Sequence, residues 1–317
     1  MVDVVALGEL LIDFTCVGAD ADNYPTMAAH PGGAPANYLA ALTKFGAGTA
    51  LLGKVGEDTF GRLLTGTLKK AGIETRGIVF GADAFTTLAF VTLDETGNRE
   101  FAFARKPGAD TQLRFEELDS SLIDEAKVFH FGTLSLTGEP AKSATQKAVA
   151  YAKRQGKLIT YDPNLRKPLW SDLKTAKEQL LWGLEQADVV KISDDEVEFL
   201  FGLDPVAGAD HILQNYPAKL VFVTCGAEGC RFANKNAAGQ VPSAKNLHVI
   251  DTTGAGDIFF GSAVWKLLQL GTAPEELSEN QLREITAFAC TSAGLSTEKS
   301  GGITSVPSYD EIISAQK

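Results

Sequence analysis

Residues 251–257, with the sequence D-T-T-G-A-G-D, place hydroxyls, glycines and two carboxylates directly before a run with helical spacing. The first amides of a helix have no partner within the helix, and the helix dipole adds partial positive charge there. Gly254 and Gly256 let a ligand approach the backbone closely. The segment therefore has the composition of an anion hole for a phosphate group that is being transferred.

Asp257 stands beside this anion hole, where a carboxylate repels a phosphate unless it has a chemical task. It could be a general base that takes a proton from an attacking hydroxyl. Asp is also a favourable residue for capping a helix. The local sequence leaves both interpretations open.

Composition excludes several other classes of protein. The 317-residue chain has a net charge of −11, whereas a duplex-binding protein needs a basic surface. No apolar run approaches the ~20 residues that span a bilayer, and the acidic start is unlike a signal peptide. Cys16, Cys225, Cys230 and Cys290 lack the paired spacing of a zinc site. We expect a cytoplasmic protein with no nucleic-acid or membrane partner.

The elements that must position residues 251–257 alternate between strands and helices. Such alternation predicts an α/β fold with a mostly parallel sheet and helices on both faces. No linker is long enough to divide the chain, so we expect one domain over residues 1–317. Apolar runs predict strands at 2–7, 49–55, 127–131, 157–161, 188–192, 220–224 and 230–233. Helical spacing predicts helices at 34–45, 58–70, 140–155, 172–186, 257–270 and 281–296.

Residues 86–93 and 99–104 alternate between polar and apolar side chains and flank the turn sequence E-T-G-N. This pattern predicts a hairpin that forms a small antiparallel lid, with lid segments near 14–31 and 84–110. A two-stranded lid is marginally stable alone, and its edges need cover. We therefore expect a homodimer that pairs through the lid.

Two familiar nucleotide-binding patterns are incomplete. Residues 48–54 fit most of a P-loop, but Val55 follows where a Ser or Thr would bind Mg²⁺. No Gly-x-Gly-x-x-Gly joins a strand to a helix near the N-terminus, which argues against NAD.

Two separated motifs resemble those of the ribokinase-like (PfkB) carbohydrate kinases. Residues 251–261 resemble the C-terminal signature, and residues 31–37 with 53–58 and Gly61 resemble the N-terminal one. The resemblance covers essentially the whole chain and is closest to the fructokinases, with support from residues 8–14, 105–110 and 162–170. It implies a three-layer α/β/α fold with a mostly parallel central sheet and a small antiparallel β lid.

The resemblance also implies ATP-dependent phosphorylation of a sugar hydroxymethyl group, with Asp257 as general base. Gly254, Ala255 and Gly256 match the anion hole for the γ-phosphate. The positions that match sugar-binding residues are Asp13, Gly32, Gly33, Asn37, Phe101, Phe103, Arg105 and Arg166. Those that match the site of ATP and Mg²⁺ are Lys191, Ser193, Glu196, Thr224, Gly226, Gly229 and Cys290. A K⁺ site is implied at Asp251, Thr253, Ser296, Gly301 and Ser305.

D-fructose, converted to fructose 6-phosphate, is the expected substrate. A 2-keto-3-deoxygluconate kinase, a ribokinase or a nucleoside kinase on the same fold remains open, as does a catalytically silent sugar-binding scaffold. Phe101 and Phe103 could instead pack one face of the lid, and Arg105 and Arg166 could be solvated. Cys290 stands where the family pattern has Asn near adenine, so nucleotide preference could be loose.

Overall fold

The computed structural model describes residues 2–93 and 99–316, which form two sheets and the helices around them. In chain order the strands are β1 (Val4–Leu7), β2 (Leu11–Ala19), β3 (Pro25–Gly32), β4 (Thr49–Gly56), β5 (Ile78–Gly81), β6 (Leu88–Leu93), β7 (Arg99–Ala104), β8 (Val128–Gly132), β9 (Leu158–Asp162), β10 (Val189–Ser193), β11 (Leu220–Thr224), β12 (Cys230–Asn234) and β13 (Ala238–Val241). The helices are α1 (Ala34–Lys44), α2 (Thr59–Ala71), α3 (Ser121–Glu125), α4 (Ala141–Arg154), α5 (Leu173–Leu184), α6 (Asp194–Phe201), α7 (Pro205–Asn215), α8 (Ala255–Leu270), α9 (Glu279–Ser296) and α10 (Tyr309–Ala315). Among the described helices, none is both long enough and apolar enough to cross a membrane.

The larger sheet has the strand order β13-β12-β11-β10-β9-β8-β1-β4-β5. Its strands pair in parallel from β11 through β5, and β12 and β13 add an antiparallel edge. Alternate residues of each central strand enter opposite cores, as Val4 and Val5 do in β1. Helices α1, α8 and α9 cover one face, and α4 to α7 cover the other. Strands buried on both faces must be apolar throughout, which explains their continuous apolar runs.

The predicted three-layer α/β fold is confirmed, with differences at element boundaries. Helix α9 begins at Glu279 rather than 281, because Ser278 and Gln281 form a reciprocal capping box. Helices α3, α6, α7 and α10 and the edge strands β5 and β13 were not predicted from the sequence. Helix α6 begins directly after β10, with no loop between them. The hydrophobic spacing therefore changes from the strand pattern to the helix pattern without a turn sequence to mark the boundary.

The smaller sheet forms the lid, with the strand order β3-β2-β6-β7. Strands β6 and β7 pair as predicted, although the turn at 95–98 lies outside the described residues. The predicted hairpin is only half of the lid, because β2 and β3, which overlap the predicted lid segment 14–31, join it: β2 pairs in parallel with β6 and carries β3 on its other side. Phe14 of β2 stacks on Phe90 and contacts the edge of Phe60 in α2, at 5.3 and 5.8 Å between ring centroids. These rings fix the lid to the body of the domain.

Candidate active site

A cavity of about 140 Å³ lies between the lid and the carboxyl ends of the parallel strands. Ligands of open α/β sheets bind at this end of the strands. The cavity is small beside the 300 to 1,000 Å³ or so of a drug-sized site, so it suits a small ligand. The lid contributes Leu11, Asp13, Val91 and Phe103. The body contributes Glu9, Gly33, Ala34, Asn37, Leu134, Asn164, Arg166, Thr252, Thr253, Gly254 and Asp257.

Asp257 is a buried residue in the first turn of α8 and faces this cavity. The helix begins after Gly254, whose φ of 77° is left-handed, and no side chain caps it, so Asp257 does not have the capping role. Its Oδ2 accepts a hydrogen bond from Asn37 Nδ2 at 2.9 Å. Burial raises the pKa of Asp257, while Lys191, the Asn37 bond and Arg166 act in the opposite direction.

Asp13 is held against the glycines that precede α1. A Cβ atom at Gly32 would collide with Asp13 Oδ2, and one at Gly33 would lie 2.5 Å from the carbonyl oxygen of Glu9. Gly33 also has a φ of 120°, which disfavours other residues. Burial raises the pKa of Asp13 to about 7, although the nearby Arg166 lowers it.

The structure therefore brings together most of the sugar-binding residues implied by the sequence. Asp13, Gly33, Asn37, Phe103 and Arg166 line the cavity, and Gly32 supports Asp13. Phe101 belongs to β7 by its backbone, while its side chain lies outside the described part of the structure.

Arg105 is placed differently, because its guanidinium is bound within the protein. Nε and Nη2 donate to Asp110 Oδ2 at 2.8 and 2.6 Å, and Nη1 donates to Thr137 Oγ1 at 2.8 Å. Both charged side chains are buried. Arg105 lines a separate cavity of about 450 Å³ behind Phe103, and not the cavity that contains Asp257.

A second cavity, of about 500 Å³, adjoins the first at the N-terminus of α8, and Thr252 lines both. Thr224, Gly226, Gly229 and Cys290 line it, as the sequence implied for a nucleotide. Ala255 and Gly256 of the predicted anion hole also face it. Its remaining walls are largely apolar, with Ala244, Leu247, Val249, Phe259 and Ala293.

Lys191 lies beneath the predicted anion hole. Its Nζ donates to both oxygens of Asp162, at 3.0 and 3.2 Å, and would lie 3.0 Å from a Cβ atom at Gly256. Burial disfavours its charged form, but Asp162, Glu196 and Asp257 outweigh this and raise the pKa of Lys191. A buried cation, paired with Asp162, therefore lies behind Gly256 and lines neither cavity.

Ser193 and Glu196 form the capping box of α6 and line neither cavity. Glu196 accepts from the amides of Ser193 and Leu165, at 2.9 and 2.7 Å, and so ties β10 to the loop that carries Arg166.

The segments implied for a monovalent cation meet beside residues 251–257. Asp251 accepts from the amides of Thr253 and Gly301, at 2.9 and 3.0 Å. Ser296 ends α9 and Ser305 lies in the segment that follows it, and both hydroxyls donate to backbone carbonyls. Within the described ranges no group of three or more His, Cys, Asp or Glu side chains could hold a metal ion.

Four polar residues at the site were given no role from the sequence: Glu9, Asn164, Thr252 and Asp162. Asn164 has a φ of 48°, a conformation that non-glycine residues adopt rarely and mostly at turns or functional sites. Its sequence context, a Pro-Asn pair after a buried strand, signals a turn but not a ligand.

Comparison with known proteins gives one consistent result. The model of the pfkB family of carbohydrate kinases matches residues 1–309. Fructokinase-2 of Solanum lycopersicum is 42% identical over 317 residues, which cover 99% of this chain and 96% of that protein. The fructokinase of Xylella fastidiosa with bound ATP superimposes with a TM-score of 0.90 at 30% identity, covering 99% of this chain and 97% of the other.

The fructokinase of Vibrio cholerae O395 provides structures with bound ligands. One form with fructose, ADP and a calcium ion has a TM-score of 0.87, and a double mutant with fructose, ADP and a potassium ion has 0.88. Both are 29% identical to this chain and cover 100% of it and 99% of their own chains.

Proposed function

Because this chain belongs to the pfkB family of carbohydrate kinases, we propose that it phosphorylates D-fructose at a hydroxymethyl group, using ATP and forming fructose 6-phosphate. The observation that carries this proposal is the position of Asp257. Its carboxylate faces the small polar cavity, in the same helical turn as Ala255 and Gly256, which face the larger cavity.

In the proposed mechanism, the sugar lies in the small cavity with its hydroxymethyl group against Asp257. The carboxylate takes the proton from this hydroxyl as the oxygen attacks the γ-phosphorus and the bond to ADP breaks. The amides at the start of α8 and the buried ammonium of Lys191 stabilise the charge on the transferring group. Asn37 holds Asp257 in position.

ATP as donor is supported by the ATP-bound relative and by the loop of Thr224, Gly226 and Gly229 in the larger cavity. A divalent ion, Mg²⁺ in this proposal, would neutralise phosphate charge, and such ions keep several waters and need few protein ligands. The oxygen donors around Asp251 and the 296–305 loop fit a monovalent cation, proposed as K⁺. Equal activity in K⁺ and in a bulky organic cation would contradict the K⁺ site.

Fructose is favoured over 2-keto-3-deoxygluconate by the charge of the cavity as well as by similarity to fructokinases. Three carboxyl groups line it, those of Glu9, Asp13 and Asp257, against the guanidinium of Arg166. The carboxylate of an acidic sugar would meet three acidic groups and one guanidinium, whereas a neutral polyol would not be repelled by them.

The direct test is ATP consumption with Mg²⁺ and K⁺ over a panel of fructose, ribose, 2-keto-3-deoxygluconate, glucose, mannose and adenosine. A clear preference for fructose is expected. Preference for another sugar would leave the proposed roles of Asp257 and the anion hole intact but would show that fructose is not the substrate. Absence of turnover with every member would favour the silent scaffold.

We also propose a homodimer that pairs through the lid, and a cytoplasmic location. The lid strands expose Val17 at 61% and Tyr24 follows β2 at 69% exposure, which gives apolar surface for a second copy. Sedimentation at micromolar concentration measures this, and a monomeric mass would count against the dimer.

A further inference from the structure

Glu9 is a buried acidic residue in the wall of the small cavity, and the sequence implied no contact with the substrate for it. It lies in the loop between β1 and β2 and is only 4% exposed. Its backbone is fixed by close packing, because Gly8 lies against Pro35 and Gly33 lies against the Glu9 carbonyl. The carboxyl group is thus held in the cavity wall by a rigid backbone.

The hydrogen bonds of Glu9 leave part of its carboxyl group unused. Oε1 accepts from the amide of Ala34, the first residue of α1, at 2.8 Å. Ala34 is the only other described residue whose hydrogen bond to this carboxyl group the structure records. The backbone amide of Glu9 itself also interacts with the carboxyl group. A carboxylate has about four acceptor sites, so these two amides leave it able to accept from a molecule in the cavity.

Across residues 2–93 and 99–316 the structure records no ion pair to the Glu9 carboxylate. The nearby Arg105 is already bound by Asp110, and Asp110 itself repels Glu9. Burial raises the pKa of Glu9 to about 7. A buried carboxyl group without a counter-charge is costly, and a neutral acceptor could have satisfied the amide of Ala34. The cost indicates a task in the cavity beyond the start of α1.

We propose that Glu9 binds a hydroxyl group of the sugar and so contributes to the choice of a neutral polyol as substrate. The inference rests on the proposed function of the cavity. An ionised carboxylate accepts from a hydroxyl, and a protonated one can both donate and accept, so a polyol matches either state.

The test compares Glu9→Gln with the wild-type enzyme. Gln keeps an oxygen for the amide of Ala34 and removes the charged acceptor. Loss of a hydrogen bond to a charged group predicts that KM for fructose rises about 10- to 100-fold. The value of kcat and KM for ATP stay within about threefold, since Glu9 touches neither the transferring phosphate nor the nucleotide cavity.

Glu311→Gln is the matched control. Glu311 accepts from the Ser308 amide at 2.6 Å at the start of α10, so this variant also loses a carboxylate at a helix N-terminus, but away from either cavity. Its KM for fructose should equal that of the wild type. If Glu9→Gln is insoluble, Glu9→Asp replaces it, since Asp withdraws the carboxylate by one methylene. The same rise in KM for fructose, with kcat within about threefold, is then expected.

Monodeoxy analogues of fructose give a second readout. The analogue that lacks the hydroxyl bound by Glu9 should have a higher KM than fructose with the wild type. Its KM should not rise further with Glu9→Gln, because neither enzyme can form this hydrogen bond with it. An unchanged KM for fructose in an active Glu9→Gln enzyme would overturn the inference and reduce Glu9 to support for α1. Failure of the proposed function would look different, since the wild type itself would not turn over fructose.

Discussion

Asn37 Nδ2 lies 2.9 Å from Oδ2 of Asp257 and joins the start of α1 to the start of α8 across the small cavity. The Asn37 side chain is buried between two glycines. A Cβ atom at Gly302 would collide with its Oδ1, and one at Gly254 would lie 3.0 Å from its Nδ2. The two motifs of the family thus meet in a single hydrogen bond to the proposed base.

Replacing Asn37 should change the pH at which Asp257 gains its proton. The Asn37 bond lowers the pKa of Asp257 against the effect of burial, so Asn37→Ser should raise it further. Activity needs the ionised base, and the acid limb of kcat against pH should move up by about one pH unit. A higher KM for fructose with an unmoved acid limb would mean that Asn37 only binds sugar.

Asn164→Gly should separate backbone strain from sugar binding. Asn164 lines the cavity at a φ of 48°, and the structure records no hydrogen bond from its carboxamide to another described residue. Glycine relieves the strain, so stability should hold or rise, while KM for fructose should rise about tenfold as a polar contact is lost.

Asn23→Gly is the control for this prediction. Asn23 has a φ of 66° in the turn between β2 and β3 and does not line the cavity, so the same relief should leave KM unchanged. If both variants have wild-type KM values, Asn164 is a turn residue and no more.

Arg105 should act through stability rather than through the sugar. Asp110→Asn removes the charge that pairs with the buried Arg105 guanidinium, and breaking a buried ion pair costs about 3 to 5 kcal/mol. Urea unfolding should show a loss of this order, with KM for fructose within about threefold of the wild type. A stable Asp110→Asn variant with a much higher KM for fructose would instead indicate that Arg105 contributes to sugar binding.

The sequence could indicate the fold and the two motifs but not their contacts. The continuous apolar strands have local signals and lie where predicted, and the glycine-rich segment 251–257 leads into a helix, α8. Arg105 shows the limit, because its partner Asp110 and the distance to the cavity depend on tertiary packing. Glu9 had no signal of its own, since a single acid after a strand is ordinary until α1 packs against it.

Asp13 should make stability depend on pH. Its pKa rises to about 7 in the folded protein from an ordinary 3.8, so the folded state binds the proton more tightly than the unfolded state. Its stabilising contribution is therefore complete below about pH 4 and is lost as the pH rises through about 7. Asp13→Asn removes this dependence, and its thermal midpoint relative to wild type should increase between about pH 5 and pH 8.

Asp172→Asn is the matched control for Asp13→Asn. The Thr175 amide lowers the pKa of Asp172, which caps α5 at the surface, so this carboxylate stays ionised over that range. Its thermal midpoint relative to wild type should be the same at both pH values. If the thermal midpoint of Asp13→Asn relative to wild type is also the same at both pH values, Asp13 is ionised over this whole pH range.

If Asp257 is the general base, the variant Asp257→Asn should lose turnover but keep both substrates bound. Asn has a similar shape, so fructose and ATP should still bind, as calorimetry can show. Without the base, kcat should fall by about 10²- to 10⁴-fold. A kcat close to that of the wild type, with fructose as the acceptor, would show that Asp257 is not the general base.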